Sequence, residues 1–138
     1  MDGVTLTSNA IIYNPKGDIY RGMKNTDFGY SGFGEAYFST ITRDCVKGWK
    51  KHSAMTLNLI VPEGKIQIVV YNGADFFTTI LSTQNFQRLT VRPNLWFAFK
   101  GLSQRNIMLN VASHVHDPSE SETLSLSDID YNGWQLCE

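Results

Sequence analysis

The chain has 138 residues, of which 42% are apolar and 18% are charged, and its formal net charge is −1. These values are typical of one globular domain and exclude a disordered chain. The small net charge also excludes a whole-molecule attraction to nucleic acid or to an anionic membrane, so an anionic ligand requires a local basic cluster. We therefore predict one domain, residues 1–138, that binds neither nucleic acid nor membrane.

Localisation is predicted from segments that the sequence lacks. No apolar run approaches the ~20 residues of a membrane helix, and residues 1–3 lack the basic and apolar regions of a signal peptide. Cys45 and Cys137 are the only cysteines, and no CxxC spacing indicates a zinc or redox site. Since two cysteines do not form a disulfide framework, we predict a cytoplasmic protein.

In chain order, the first recognisable element is a glycine-rich loop, residues 22–34, which also contains aromatic side chains. Alternation of side-chain type then predicts short strands at residues 35–41, 55–61, 66–70, 88–91, 95–99 and 107–112. Turn sequences such as Asn72-Gly73 separate them. Many short strands with such turns predict a sandwich or a barrel. The tail from Asp117 is acidic and serine-rich, and we expect Trp134 to attach it to the body.

The densest polar cluster is the segment Lys47-Gly48-Trp49-Lys50-Lys51-His52, which directly precedes the strand at 55–61. In a strand, Lys50 and His52 share one face and Lys51 points to the other. A lysine and a histidine on one face at the mouth of a barrel can bind phosphate or move a proton. A solvated basic turn explains the same residues equally well.

Several segments occur in the order found in cupin nucleotide-sugar enzymes. They are Gly17-Asp18, Gly34-Glu35-Ala36-Tyr37-Phe38-Ser39, the 47–52 cluster, Arg92-Pro93-Asn94-Leu95-Trp96 and Asp117-Pro118-Ser119-Glu120-Ser121-Glu122. Over nearly its whole length the chain resembles a short, divergent branch of the dTDP-4-dehydrorhamnose 3,5-epimerase family, with the 3,4-ketoisomerases of the same fold close behind. The resemblance implies an all-β, single-domain cupin jelly-roll barrel with little helix. It also implies a nucleotide-diphosphate sugar as ligand, a homodimer and no cofactor.

The epimerases that the chain resembles typically carry Arg-Gly-x-His at the start of a barrel strand, and this histidine removes a proton beside the 4-keto group. The matching segment begins at Lys47, which keeps a positive charge for the diphosphate without the fork of arginine. Lys50 takes the place of the base. The tyrosine that acts as the opposing general acid in the family aligns with Asn110. The aspartate that orients the histidine in the family falls near Ser113 or His114. Both the base and the acid are therefore changed.

The ketoisomerases instead carry Arg-Gly-x-His-x-His, and His52 matches the second histidine of that pattern. They also share Pro-Gly-Leu-Trp-His, which matches residues 93–97 here, with Phe97 in place of histidine. We therefore predict His52 as the functional imidazole, with Lys50 beside it. A lysine acts as a base near neutral pH only where burial or a neighbouring cation, such as Lys47, favours its neutral form.

The remaining candidates are aromatic or polar residues in these segments and strands. Most aromatic side chains on the strands are expected in the core, but Trp49 and Trp96 can stack on a base or sugar ring. Glu35 either hydrogen-bonds sugar or faces water, and Arg92 can hold a diphosphate. The predicted catalytic residues are His52 and Lys50, and the predicted substrate-binding residues are Lys47, Trp49, Glu35, Asn58, Arg92, Trp96 and Asn110. No metal is predicted, because His52 alone remains of the cupin metal-binding positions.

The resemblance implies an epimerase acting at carbon 3, carbon 5 or both of a nucleotide-linked 4-keto-6-deoxy sugar, in surface polysaccharide biosynthesis. Removal of a proton beside the ketone gives an enolate, which a cation such as Lys50 or Lys47 stabilises. The alternatives are a 3,4-ketoisomerase, which uses the same enolate, and a non-catalytic sugar-binding cupin. Convergence of Lys50, His52 and Asn58 in an enclosed pocket favours an enzyme, whereas their exposure to solvent favours a binding role.

Overall fold

The structure, a computed structural model, describes residues 1–137; Glu138, the last residue of the predicted domain, lies outside the described part. In chain order, residues 1–137 form the strands β1 (Val4–Ser8), β2 (Ile11–Ile12), β3 (Ile19–Tyr20), β4 (Glu35–Thr40), β5 (Val46–His52), β6 (Leu57–Glu63), β7 (Lys65–Tyr71), β8 (Phe76–Ser82), β9 (Gln87–Val91), β10 (Trp96–Gly101), β11 (Ile107–Ala112) and β12 (Ser121–Thr123). Two short 3-10 helices, Pro118–Glu120 and Leu126–Asp128, lie in the tail. Within residues 1–137 no helix is long and apolar enough to cross a membrane.

Two antiparallel five-stranded sheets form the body. The first has the order β1-β9-β6-β11-β4, the second has the order β12-β5-β10-β7-β8, and β2 and β3 form a separate hairpin. Apolar side chains from both sheets meet in one core, which includes Leu57 and Leu59 of β6, Ile66 and Ile68 of β7, and Leu89 of β9. The predicted all-β cupin-type jelly roll with little helix is confirmed.

Each strand predicted from alternation is present, with ends shifted by at most two residues. The alternation succeeds because one face of every such strand contributes to the shared core, as Leu57, Leu59 and Val61 do on β6. The prediction missed β1 and β8 and the short strands β2, β3 and β12. β1 and β8 are edge strands with few fully buried side chains, so their sequences carry little contrast between faces.

Both sheets are also covered on their outer faces. The loop at residues 22–34 lies over the first sheet, where Gly29 is buried against Arg88 and Thr90 of β9. The tail lies over the second sheet, where Trp134 packs against a cluster that contains Trp49. The Gln67 side chain holds this tail through both ends of its amide: Nε2 donates to the Gly133 carbonyl (2.9 Å), and Oε1 accepts from the Gln135 N–H (2.7 Å).

Candidate active site

A pocket of about 230 Å³ lies between the two sheets. Its walls come from β4, β5, β6, β10 and β11. The polar lining consists of Tyr37, Ser39, Lys47, Lys50, His52 and Asn110, and the apolar lining includes Leu57, Leu59, Phe97, Phe99 and Met108. The pocket therefore combines apolar walls with a few convergent ionisable groups, as small-molecule sites do.

A bulge in β5 decides which residues of the basic cluster face this pocket. Along the β5–β10 pair, Phe97 lies opposite Lys50, but the next residue of β10 lies opposite Gly48, so Trp49 has no partner on β10. Regular alternation would place Lys47 and Lys50 on opposite faces. Because the bulge inserts one extra residue, Lys47 and Lys50 both line the pocket, and Trp49 is buried on the other side of the sheet.

His52 is the most constrained polar group of the pocket. Its side chain is buried, and its ring stacks on Phe97 at a centroid distance of 6.1 Å and an interplanar angle of 16°. Nδ1 is hydrogen-bonded to the Oε1 atom of Glu120. The other carboxylate oxygen of Glu120 accepts the N–H groups of Ala54 (3.0 Å) and Met55 (3.1 Å). Since Nδ1 is engaged by the carboxylate, Nε2 is the ring nitrogen that remains for proton transfer.

The carboxylate of Glu120 is held in its charged form. Burial opposes that charge, but hydrogen bonds from His52 and from the Ala54 and Met55 N–H groups outweigh it, and the pKa of Glu120 lies below its usual value. At neutral pH, an ionised carboxylate on Nδ1 fixes the tautomer of an imidazole and stabilises the imidazolium that forms when Nε2 takes a proton. Glu120 therefore equips His52 to act as a general base.

Tyr37 contributes a phenol to the lining of the same pocket. It lies on β4 directly opposite Asn110 of β11, and Asn110 Nδ2 donates to the Tyr37 hydroxyl at 2.9 Å. Asn110 is the position with which the tyrosine of the epimerase pattern aligns, so the phenol in this pocket comes from the neighbouring strand. An imidazole and a phenol in one pocket can serve as a base and an acid.

The three lysines of the 47–52 cluster are divided between the two faces of β5. Lys50 is partly buried in the pocket, and Lys47 lines it while its Nζ donates to the Thr40 carbonyl at 2.7 Å. Lys51 points to the opposite face, where its Nζ lies 4.8 Å from the centroid of the Trp96 ring and 2.9 Å from Glu122. The pocket thus holds two cationic side chains that can stabilise an oxyanion or a phosphate.

The two predicted stacking residues, Trp49 and Trp96, do not line the pocket. Both belong to the cluster between the second sheet and the tail. Each alternates with an inward-facing neighbour, Trp49 with Lys50 and Trp96 with Phe97, so each points to the outer face of the second sheet. No surface of the Trp49 ring is available to a ligand, since the residue is only 1% exposed.

Three further predicted binding residues also lie outside the pocket. Asn58 alternates with the inward-facing leucines of β6, so its side chain lies under the 22–34 loop, where its Oδ1 accepts from Arg88 (2.6 Å) and Thr90 (2.7 Å). Glu35 accepts the backbone N–H of His116 at 2.7 Å. Arg92 is exposed beyond the end of β9. Of the three residues expected to converge, Lys50 and His52 meet in the pocket and Asn58 does not.

The sequence prediction missed both Glu120 and Tyr37 as site residues. Tyr37 alternates with Ser39 along a strand that was predicted, so a search for polar or phenolic groups sharing one face can find it. Glu120 has no comparable signal, because no periodicity specifies where an irregular tail returns to the barrel. The orienting aspartate of the family pattern falls near Ser113 or His114, neither of which is an acid; the carboxylate beside His52 is that of Glu120.

Within residues 1–137 no group of three or more histidine, cysteine, aspartate or glutamate side chains is arranged to hold a metal ion. His114 is hydrogen-bonded to the neighbouring Ser113 hydroxyl at 2.7 Å. His116 is exposed, and its backbone N–H is taken by Glu35.

No protein-family model matches the chain, and no curated protein matches it in sequence. Solved structures, however, match it in fold. A dTDP sugar isomerase from Desulfovibrio desulfuricans G20 is 27% identical, with a TM-score of 0.92 over 98% of this chain and 94% of that one. QdtA, a sugar 3,4-ketoisomerase from Thermoanaerobacterium thermosaccharolyticum in complex with TDP, is 18% identical, with a TM-score of 0.80 over 88% of each chain.

A third similar structure is NovW, a 4-keto-6-deoxy sugar epimerase from Streptomyces spheroides. It is 15% identical, with a TM-score of 0.83 over 99% of this chain and 79% of that one. The fold is that of nucleotide-sugar epimerases and isomerases. The resemblance noted in the sequence is thereby confirmed, and its two branches, epimerase and ketoisomerase, both occur among the similar structures.

Proposed function

We propose that this protein is an enzyme that epimerises or isomerises a nucleotide-linked 4-keto-6-deoxy sugar through an enolate. The observation that carries the proposal is the buried His52 imidazole, which is hydrogen-bonded to Glu120 and shares one pocket with Tyr37, Lys47 and Lys50. The dTDP sugar isomerase, the TDP-bound ketoisomerase and the 4-keto-6-deoxy sugar epimerase of the same fold support this substrate class.

The reaction begins with His52. Its Nε2 takes the proton from the carbon beside the ketone, the electron pair of the broken C–H bond forms the C=C bond of the enolate, and the former ketone oxygen becomes negatively charged. Lys50 stabilises that oxygen, and Glu120 stabilises the imidazolium. The base is thus His52, in keeping with the sequence prediction, and Lys50 serves as the cation beside it.

Two outcomes follow from the same enolate. If Tyr37 donates its hydroxyl proton to the carbon from the face opposite His52, the product is the epimer; the phenolate then regains a proton from solvent, and the His52 imidazolium releases its proton to solvent. If a proton instead moves between the oxygens at carbons 3 and 4, and His52 returns its proton to carbon 4, the ketone has migrated to carbon 3. Epimerisation is the leading proposal, and migration of the ketone is the alternative. Two observations support the alternative: the 27% identity to a dTDP sugar isomerase and the match of His52 to the ketoisomerase pattern.

The dimensions of the pocket support binding of the sugar alone within it. A volume of about 230 Å³ is below the ~300–1,000 Å³ of pockets that enclose drug-sized ligands, so the nucleotide diphosphate lies outside. Lys47 is exposed and adjoins the pocket, where it can pair with a phosphate. A homodimer is part of the proposal, because β1 and β4 are edge strands that pairing with a second copy would cover.

Proton NMR in deuterated water tests the proposal directly, with 4-keto-6-deoxy sugars carried on several nucleotide diphosphates. Deuterium at carbon 3 or carbon 5 of a sugar that remains a 4-ketone indicates epimerase chemistry. Loss of the carbon-3 proton signal with the appearance of a hydrogen or deuterium at carbon 4 indicates migration of the ketone to carbon 3, as in an isomerase. His52→Asn should abolish both signals, whereas His116→Asn, a change at an exposed histidine, should leave them intact. Absence of exchange and turnover with every substrate, while line broadening still reports binding, would identify a non-catalytic sugar-binding cupin instead.

A further inference from the structure

Building on the proposed function, we infer that Asn110 is a positioning residue that orients the phenol of Tyr37, rather than a ligand of the sugar. Asn110 was predicted from the sequence to bind substrate, and it does line the pocket. Its amide is nevertheless committed to protein groups on both sides. Replacing Asn110 should therefore impair proton transfer by Tyr37 and leave the affinity for the sugar nearly unchanged.

The orientation of the Asn110 amide follows from its neighbours. Asn110 Oδ1 lies 3.0 Å from the backbone nitrogen of Asn58, and Nδ2 lies 2.9 Å from the Tyr37 oxygen. A backbone N–H can only donate, so the atom facing Asn58 has to be the amide oxygen. The amide nitrogen therefore faces Tyr37, and it also lies 3.9 Å from the Met55 sulfur. The reverse orientation would oppose two donors at the Asn58 contact.

This orientation fixes the role of the phenol. Because Asn110 donates to the Tyr37 oxygen, that oxygen is an acceptor in this contact, and its own O–H proton has to point elsewhere. The hydroxyl borders the pocket, so the proton is available to a bound sugar. The donated N–H also stabilises negative charge on the phenol oxygen as the proton leaves, which is when the reaction needs it.

The Asn58 N–H that selects this orientation belongs to a rigid part of the barrel. The Asn58 side chain is only 2% exposed and is hydrogen-bonded to Arg88, Thr90 and the Gly29 carbonyl. Its backbone is part of β6, next to β11 in the first sheet. Asn110 therefore connects a fixed structural cluster under the 22–34 loop to the one phenol of the pocket lining.

The hydrogen bond can be tested without substrate. In the free protein, the side-chain ¹⁵N and ¹H signals of Asn110 should shift in Tyr37→Phe, because the acceptor of Nδ2 is removed. The side-chain signals of Asn25, an exposed asparagine in the 22–34 loop, should stay in place. Unchanged Asn110 signals in Tyr37→Phe would refute the arrangement, whatever reaction the protein catalyses.

The functional role is tested by a double-mutant cycle on turnover of the 4-keto-6-deoxy sugar identified by NMR. Asn110→Asp keeps the shape of the side chain, but an ionised carboxylate cannot donate to Tyr37. It should lower kcat about 10- to 100-fold, which is less than the full rate contribution of a well-positioned general acid. KM should change by less than about 3-fold. In a Tyr37→Phe background the same substitution should lower kcat by less than about 2-fold, since the group through which Asn110 acts is absent.

Asn110→Leu provides the second variant if a carboxylate at this buried position prevents folding, and it should give the same cycle. Asn25→Asp is the matched control and should leave kcat and KM unchanged. Equal losses of kcat in both backgrounds, or a rise in KM with kcat unchanged, would show that Asn110 contacts the sugar directly and overturn the inference. If wild-type protein turns over no sugar, the proposed function fails, and the NMR signals alone decide whether Asn110 orients the phenol.

Discussion

The carboxylate of Glu120 holds the imidazole of His52, although 68 residues separate the two in the chain. His52 ends β5 inside the barrel, whereas Glu120 belongs to the tail that follows the last long strand. Pairing of β12 with β5 places Ser121 opposite His52 and so brings the carboxylate to the ring. Attachment of the tail and assembly of the active site are therefore a single structural event.

Glu120→Gln should lower kcat by about 100-fold or more, because the amide neither enforces the tautomer nor stabilises the imidazolium. Glu122→Gln is the matched control two residues further along β12. Glu122 is 65% exposed and pairs with Lys51, and exposed pairs contribute little, so kcat should change by less than about 2-fold. Steady-state turnover of the sugar identified by NMR measures both. A normal kcat in Glu120→Gln would remove Glu120 from the mechanism.

Glu120 should also make stability depend on pH. Its pKa is lower in the folded protein than in the unfolded chain, so the unfolded chain binds more protons in the intervening range. The stabilisation is fully present above the ordinary glutamate pKa of about 4.3. It is lost as the pH falls from there through the lower pKa of the folded state. Urea unfolding between neutral and acidic pH measures this loss, and Glu120→Gln should show a shallower slope than wild type across that window. Identical slopes for the two proteins would contradict the assignment.

Gly29 and Gly32 offer a matched test of how the 22–34 loop seals the first sheet. Both have positive φ, +91° and +95°, so alanine is strained at either position. At Gly29 a Cβ would lie 2.5 Å from Thr90 Oγ1, while at Gly32 nothing lies within 4 Å. Gly32→Ala should therefore cost about 1 kcal/mol of unfolding free energy, and Gly29→Ala about 1–3 kcal/mol more. Urea denaturation measures both, and equal losses would mean that the Arg88 and Thr90 cluster yields to the added methyl group.

Much of the barrel follows from the sequence because its strands contribute one face to a shared core, and alternation reports that face. The same rule failed in β5. Alternation correctly placed Lys50 and His52 together and Lys51 opposite, but it cannot foresee that the chain inserts Trp49 as a bulge. That single insertion brings Lys47 to the pocket beside Lys50, whereas Trp49 points to the outer face simply because it alternates with Lys50. A bulge depends on the register of the partner strand, which no local pattern specifies.

The site was less predictable than the fold for a related reason. His52 stood out because it falls in a recognisable segment, and Asn110 because a family position aligns with it. Asn58 was expected in the pocket, but it alternates with leucines that line the pocket and so has to point away from it. From the sequence, Glu120 is named only as a member of the 117–122 segment, and no role is predicted for it. Its contact with His52 depends on where the tail meets β5, which is decided by packing against the finished second sheet.

The position of Glu120 in the chain also has a consequence for biosynthesis. At about 5–20 residues/s, the 68 residues that separate it from His52 take roughly 3 to 14 s to be translated. During that interval, a nascent chain that already contains the histidine lacks the carboxylate that orients it. The strands β6 to β11 are made in the same interval, so the carboxylate reaches the imidazole only after the barrel strands are complete. A chain that ends before Glu120 should therefore lose at least the activity that Glu120→Gln loses.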